Sequence, residues 1–405
     1  MCLYKDCTAV FLLIILCLLA FNSKATTFSV TTTSDAGAGS FRQALTDANA
    51  AAGDDIIDFT VSGNITLSSA LPQITDNLVI NGHASGNRVQ KIGGLSHRIL
   101  DISNSAIVTI NKLSLFGGTI VSGDGAGLLI QSDCSVTLND CCIRNCYANA
   151  TSRGGGIYVE GQATLLMTNC TVSDNHMQPA GGGGMTCAPD SDVTIVNCTF
   201  SHNSAGAILN YSFKFKMYNT ILANSTPVGT PDFTNTGGAV SDNEQNIVEL
   251  CQTGTDCSAF FSNADPGLGN LMTNDNGPTE TRAIDSTSIA YNNADTASAP
   301  EYDQNGTPRD VNPDIGAYEV QVIDAIALIQ NTSKEKCSAK DKGPFYLQVF
   351  DLNGRMITTE KYPGFLQTQN INSFLESSSK LNKSLYVIRV KNSQKVCELK
   401  MFNRY

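Results

Sequence analysis

The sequence predicts an all-β chain wound as a solenoid, a parallel β-helix body closed at its start by a short helix and followed by a compositionally distinct β-module. Three observations carry this expectation. One strand-like motif recurs every 22 to 29 residues, a glycine motif recurs beside it, and apolar residues within each motif alternate at a period of two.

The motif reads Val108-Thr109-Ile110-Asn111-Lys112-Leu113, and returns at Val136–Cys141, Leu165–Cys170, Val193–Cys198 and Phe215–Thr220. From Leu113 to Cys141, Cys170, Cys198 and Thr220 the steps are 28, 29, 28 and 22 residues. A glycine column, Gly127, Gly156, Gly184 and Gly206, advances by 29, 28 and 22. Helical and leucine-rich solenoids share such periods, but Val136 and Leu138 alternate with polar residues, which is strand spacing. Stacked coils pair each strand with its equivalent one turn on, and like residues form ladders.

Leu113, Cys141, Cys170 and Cys198 are therefore expected in one internal ladder, where a thiol acts as a small hydrophobe. Metal binding and disulfides are the alternatives, but no Cys-x-x-Cys accompanies these three. Cys251 and Cys257, six apart in a loop, form the disulfide candidate.

Ser40 and Gln43 make a capping-box pattern before Phe41, Ala44, Leu45 and Ala48 at helical spacing, with Gly53 as a stop. This helix would cover the open first coil, and the strand 54–61 follows it.

Lys5, the apolar run 9–21 and the small residues near Ala25 form a signal-peptide pattern, with cleavage expected after Ala25. No transmembrane helix is expected in the mature chain. Of 14 cysteines, Cys2, Cys7 and Cys17 leave with the leader, so 11 remain and at least one stays unpaired. A net charge of −11 argues against nucleic acid as partner, since there is no excess of Lys and Arg to neutralise phosphates.

The opening Phe28-Ser29-Val30-Thr31-Thr32-Thr33, the run Gly37–Ala44 and Asp47-Ala48-Asn49 resemble the start of bacterial right-handed β-helix proteins of the choice-of-anchor Q type. Asp275–Thr279, Ala283-Ile284-Asp285, Arg309 and Asp314-Ile315-Gly316-Ala317-Tyr318-Glu319 resemble that family's closing motifs, although the turn after Ile284 departs from its pattern. The resemblance covers about residues 27–319 and implies a right-handed single-stranded parallel β-helix of the pectin-lyase-like fold.

The tail is Lys-rich and Gly-poor. Strands Phe345–Phe350 and Met356–Thr359 flank Asn353-Gly354, and Leu385–Val390 and Val396–Met401 flank a second turn. It resembles the carboxy-terminal sorting domain of the type IX secretion system, with Ser384 where that family usually has Gly. The size and hairpin pattern suit a small antiparallel β-sandwich, which could also be a plain accessory module; the resemblance implies the type IX machinery as a partner, and delivery to the outer cell surface or the medium. The expected organisation is a signal peptide at 1–25, an N-terminal strand and capping helix at 26–53 and coils at 54–235. A loop-rich closing part at 236–320, a linker at 321–336 and the sorting domain at 337–405 follow.

For chemistry, Asp174 and His202 fall in one column of adjacent coils with Asn145 and Asn224, close enough to share a proton, with Arg153 and His176 in nearby corners. These are the candidate catalytic residues. The same corners suit Asn and Asp for backbone reasons alone, no Gly-His-Gly occurs, and the one Arg-x-Lys, Arg389 and Lys391, lies in the tail. Asp303, Asp310 and Asp314, with Asp295, Asn293, Asn305 and Asn312, are candidate calcium ligands, because oxygen-rich loops suit a hard cation. Tyr147, Tyr158 and Tyr211 are candidates for sugar stacking. The expectation is a non-catalytic, adhesive or glycan-binding surface protein; the alternative is a polysaccharide lyase or glycoside hydrolase acting on an acidic polysaccharide.

Overall fold

A computed structural model of the chain describes residues 25–94, 96–149, 151–178, 181–252 and 264–321, with strands Phe345–Phe350, Met356–Tyr362, Leu385–Lys391 and Val396–Phe402. The expected signal peptide, apart from Ala25, lies outside the described residues, as does nearly all of the linker. The chain divides into two compact units, 1–320 and 321–405. No described helix is long and apolar enough to cross a membrane.

The first unit is a parallel β-helix. Three sheets of nine, six and eight strands run its length, and every neighbouring pair in them is parallel. Their registers confirm the repeat: Val108 pairs with Val136, Leu165 with Val193, and Val193 with Phe215. Inward residues of each strand are buried in one continuous core.

Turning a strand sharply without lengthening it needs a single residue in the left-handed region, where Asn and Asp are tolerated best. Two columns do this. Lys112, Asp140, Asn169, Asn197 and Asn219 (φ 47–57°) turn the nine-stranded sheet into the eight-stranded one, and Asn145, Asp174, His202 and Asn224 (φ 53–60°) end that sheet.

The cysteine ladder forms as expected. Cys142 pairs with Ser114 and Thr171, and Thr171 with Thr199, which stacks Leu113, Cys141, Cys170 and Cys198 one residue earlier. All four are at most 2% exposed, and the Cys170 backbone N–H donates to Cys198 Sγ at 3.3 Å. These cysteines are free thiols, and burial pushes Cys141 and Cys170 well up. Cys251 is disulfide-bonded, while Cys257 lies outside the described residues.

The glycine column needs one correction. Leu128, Ile157, Met185 and Ile208 stack, so Ala207, not Gly206, follows Gly184. A Cβ on Gly156 would lie 2.6 Å from Gly184 O, and one on Gly184 2.4 Å from Ala207 O, so the next coil's backbone excludes a side chain. Gly206 serves a different need, a positive φ of 102°.

At the start, Thr27–Val30 pairs with Asp55–Phe59, and the helix Phe41–Ala50 covers the open coil. Ser40 caps the helix by accepting from Gln43 N–H, and Phe41, Ala44, Leu45 and Ala48 are buried. Gln43 does not return the bond; its amide donates to Asp47 instead.

In the second unit the two expected hairpins form one antiparallel sheet, ordered Met356–Tyr362, Phe345–Phe350, Leu385–Lys391, Val396–Phe402. A facing layer that would make it a sandwich is not among the described residues.

Candidate functional site

The three faces of the tube differ in what covers them. On the eight-stranded sheet, strands such as Thr171–Ser173 and Thr199–Ser201 are buried on both sides, because the closing segment 264–320 lies along their outer face. Gln304 accepts from Thr171 Oγ1 at 2.7 Å and donates to Cys141 O, and Ala317 N–H donates to Thr199 Oγ1. Glu280 receives Ser114, Arg144 and Arg88. Burial raises its carboxyl, but the Ser114 hydroxyl and the two guanidinium groups together hold it below the usual range.

Asp174 and His202 stand in adjacent coils of one column, at the end of this sheet, both partly buried. They do not share a proton. Arg282, reaching from the closing segment, holds both Asp174 oxygens (3.2 and 3.0 Å) and donates through Nε to Ser173 Oγ at 2.9 Å. His202 instead turns Nδ1 to Ser201 Oγ at 2.6 Å. Burial, then the positive charge of Arg282, pushes the imidazole below its ordinary value. A general acid–base pair needs a proton path between its members; Arg282 occupies the carboxylate that would supply it. Arg153 pairs with Asp124 and lies 4.9 Å over the Tyr158 ring, while His176 contacts Tyr147.

Asp303, Asp310 and Asp314 are not assembled as cation ligands. Asp303 accepts backbone N–H groups of Asn305, Thr307 and Glu319; Asp314 accepts those of Asn292 and Val320; and Asp310 accepts that of Asn312. Among the described residues no group of three or more His, Cys, Asp and Glu side chains could hold a metal. Their carboxylates fasten the closing loop, together with a buried ion pair between Arg309 and Glu319 at 2.9 Å. Burial raises the Asp314 carboxyl to about 7.

The outer side of the six-stranded sheet is also covered. Strands Leu128–Ile130, Ile157–Val159 and Met185–Cys187 are buried throughout, and a Cβ on Gly154 would meet Tyr158 Cβ at 3.0 Å. Tyr158, expected to face a ligand, is 4% exposed and packs with Leu129 and Ala188. Tyr147 and Tyr211 are half-buried.

The nine-stranded sheet is open. Its strands alternate buried with half-buried or exposed residues over at least five coils. Two outward rows run across it. Thr109, Thr137, Leu166, Thr194 and Lys216 form one. In the other, each asparagine amide donates to the side-chain oxygen one coil back: Asn139 to Asn111 at 2.9 Å, Asn111 to Asn81 and Asn81 to Asp58 at 2.8 Å. That row continues through Thr168, Val196 and Tyr218, whose hydroxyl donates to Asp242. The repeat showed these rows in the sequence; the structure adds that, among the described residues of the first unit, this is the face left uncovered.

The family model described as "right handed beta helix region" matches residues 81–253, which agrees with the observed winding. A solved structure of pectate lyase Pel9A is 12% identical, with a TM-score of 0.30, covering 75% of this chain and 98% of that one. No curated protein matches the chain.

Proposed function

We propose that this is a secreted cell-surface β-helix protein that binds an extended glycan or similar surface polymer without cleaving it, through the open face of the nine-stranded sheet. One observation carries the reading. The carboxylates beside His202 and in the closing segment are engaged by arginines and backbone amides, whereas a face left open by the described residues presents mostly polar side chains in register from coil to coil. Neighbouring coils repeat at about 4.8 Å, so such rows can meet successive hydroxyl groups of a linear polymer. Many weak contacts in register would supply affinity in place of one deep pocket.

The resemblances at both ends of the body to choice-of-anchor Q proteins, and of residues 337–405 to type IX sorting domains, support export to the cell surface, with the leader removed after Ala25. The test is a glycan array probed with the secreted chain, with and without calcium. Retention on a defined set of polymers, indifferent to calcium, is expected. Release of unsaturated sugars or new reducing ends from uronate polymers would overturn the non-catalytic reading in favour of a polysaccharide lyase or hydrolase.

A further inference from the structure

We propose that removal of the leader does more than release the chain: it creates an ion pair between the new α-ammonium group of Thr26, at the surface, and the buried carboxylate of Asp55, which locks the first strand onto the tube. The inference rests on the leader boundary after Ala25 and goes beyond the binding role.

Asp55 opens the second strand of the nine-stranded sheet and is 1% exposed. Its Oδ1 accepts the backbone N–H of Thr26 at 2.8 Å, while its Oδ2 is buried with no hydrogen-bond partner. Among the described residues no Lys, Arg or His forms an ion pair with it. A buried carboxylate with one oxygen unpaired and no counter-charge is costly. In the uncleaved chain Thr26 N is an amide with one hydrogen, already used on Oδ1.

Hydrolysis of the Ala25–Thr26 bond by a leader peptidase consumes one water, leaves a carboxylate on Ala25 and turns that nitrogen into an amine, which takes up a proton near neutral pH. The ammonium has three N–H donors where the amide had one. One stays on Oδ1, a second can turn to the orphaned Oδ2, and the positive charge neutralises the carboxylate. The position is held independently, since Ile56 N–H donates to Thr26 O at 2.8 Å and Thr27 pairs with Ile56. Adding even one residue before Thr26 restores the amide and removes the charge.

The test begins with the exported chain, whose N-terminal sequence should read Thr-Thr-Phe-Ser-Val. Chains beginning at Thr26 and at Ala25 are then compared, each with and without Asp55→Asn. The Thr26 form should melt higher by about 2 °C, and Asp55→Asn should erase that difference. If Asp55→Asn does not fold, selective acylation of the Thr26 α-amine serves: it should run at least about tenfold slower in the native protein than in urea. A start elsewhere than Thr26, equal melting of the two forms, a difference that survives Asp55→Asn, or equal acylation rates would each overturn the proposal. None of these outcomes touches glycan retention, so the binding reading fails or stands separately.

Discussion

Asp174 can be assigned a structural or a chemical role by a double-mutant cycle with Arg282. Arg282 is 6% exposed and spends its guanidinium on Asp174, Ser173 Oγ and Gly269 O. Asp174→Asn removes the counter-charge and leaves the guanidinium buried, which costs about 2–3 kcal/mol. The Asp174 side chain is 32% exposed, so solvent screens part of the attraction and larger values are not expected. Arg282→Gln loses the same contact and its bonds to Ser173 and Gly269, a similar about 2–3 kcal/mol. The double variant carries no unpaired charge, so its cost should fall short of the sum by about 1–2 kcal/mol. Equilibrium denaturation of the four proteins in guanidinium chloride measures this coupling. Additive costs, within about 0.3 kcal/mol, would show that the two side chains do not support each other and would refute the structural assignment.

Other outcomes follow from the same geometry. Burial raises the Asp140 carboxyl to about 6 from 3.8, so the folded chain holds a proton that the unfolded chain has released, and stability present below 3.8 is lost as pH rises toward 6. Asp140→Asn, matching Asn169 and Asn197 in its column, should therefore gain stability over the native chain across about pH 4–6, levelling at about 1–2 kcal/mol; melts at a series of pH values check this. Gly156→Ala should cost about 2–3 kcal/mol by forcing the next coil away, whereas Gly94→Ala, with nothing within 4 Å, should be neutral in the same melts. Cys141, Cys170 and Cys198 should resist alkylation until the chain unfolds, as peptide mass mapping would show.

The periodic part of the molecule was legible because each coil repeats the same physical problem. Alternation set the strand faces, and Asn or Asp marked the corners. The cysteine row followed from register alone. Gly206 misled because the shortened turn after Gly184 keeps a glycine for its positive φ while Ala207 takes the stacked position. The closing segment has no period, so nothing near Asp174 in the sequence announced Arg282, 108 residues later. Asp303 and Asp314 read as cation ligands because a carboxylate that accepts backbone amides has the same composition as one that binds calcium. Arg309 and Glu319, opposite charges ten residues apart in the closing motif, were the available signal of an internal clasp. Tyr158 looked available because alternation reports which side of a strand a residue faces, and a loop over that side leaves no mark on the pattern.

The proposed binding through the nine-stranded face is tested most directly at the middle of its outward rows. Glycan retention by the full secreted chain should be measured for Thr137→Arg, which sets a bulky charge in the middle of the outward threonine row, beside Val228→Arg, a change at a fully exposed loop residue away from the sheet. Retention falling at least tenfold for Thr137→Arg, with Val228→Arg unaltered, is the predicted result; retention untouched by Thr137→Arg would contradict it.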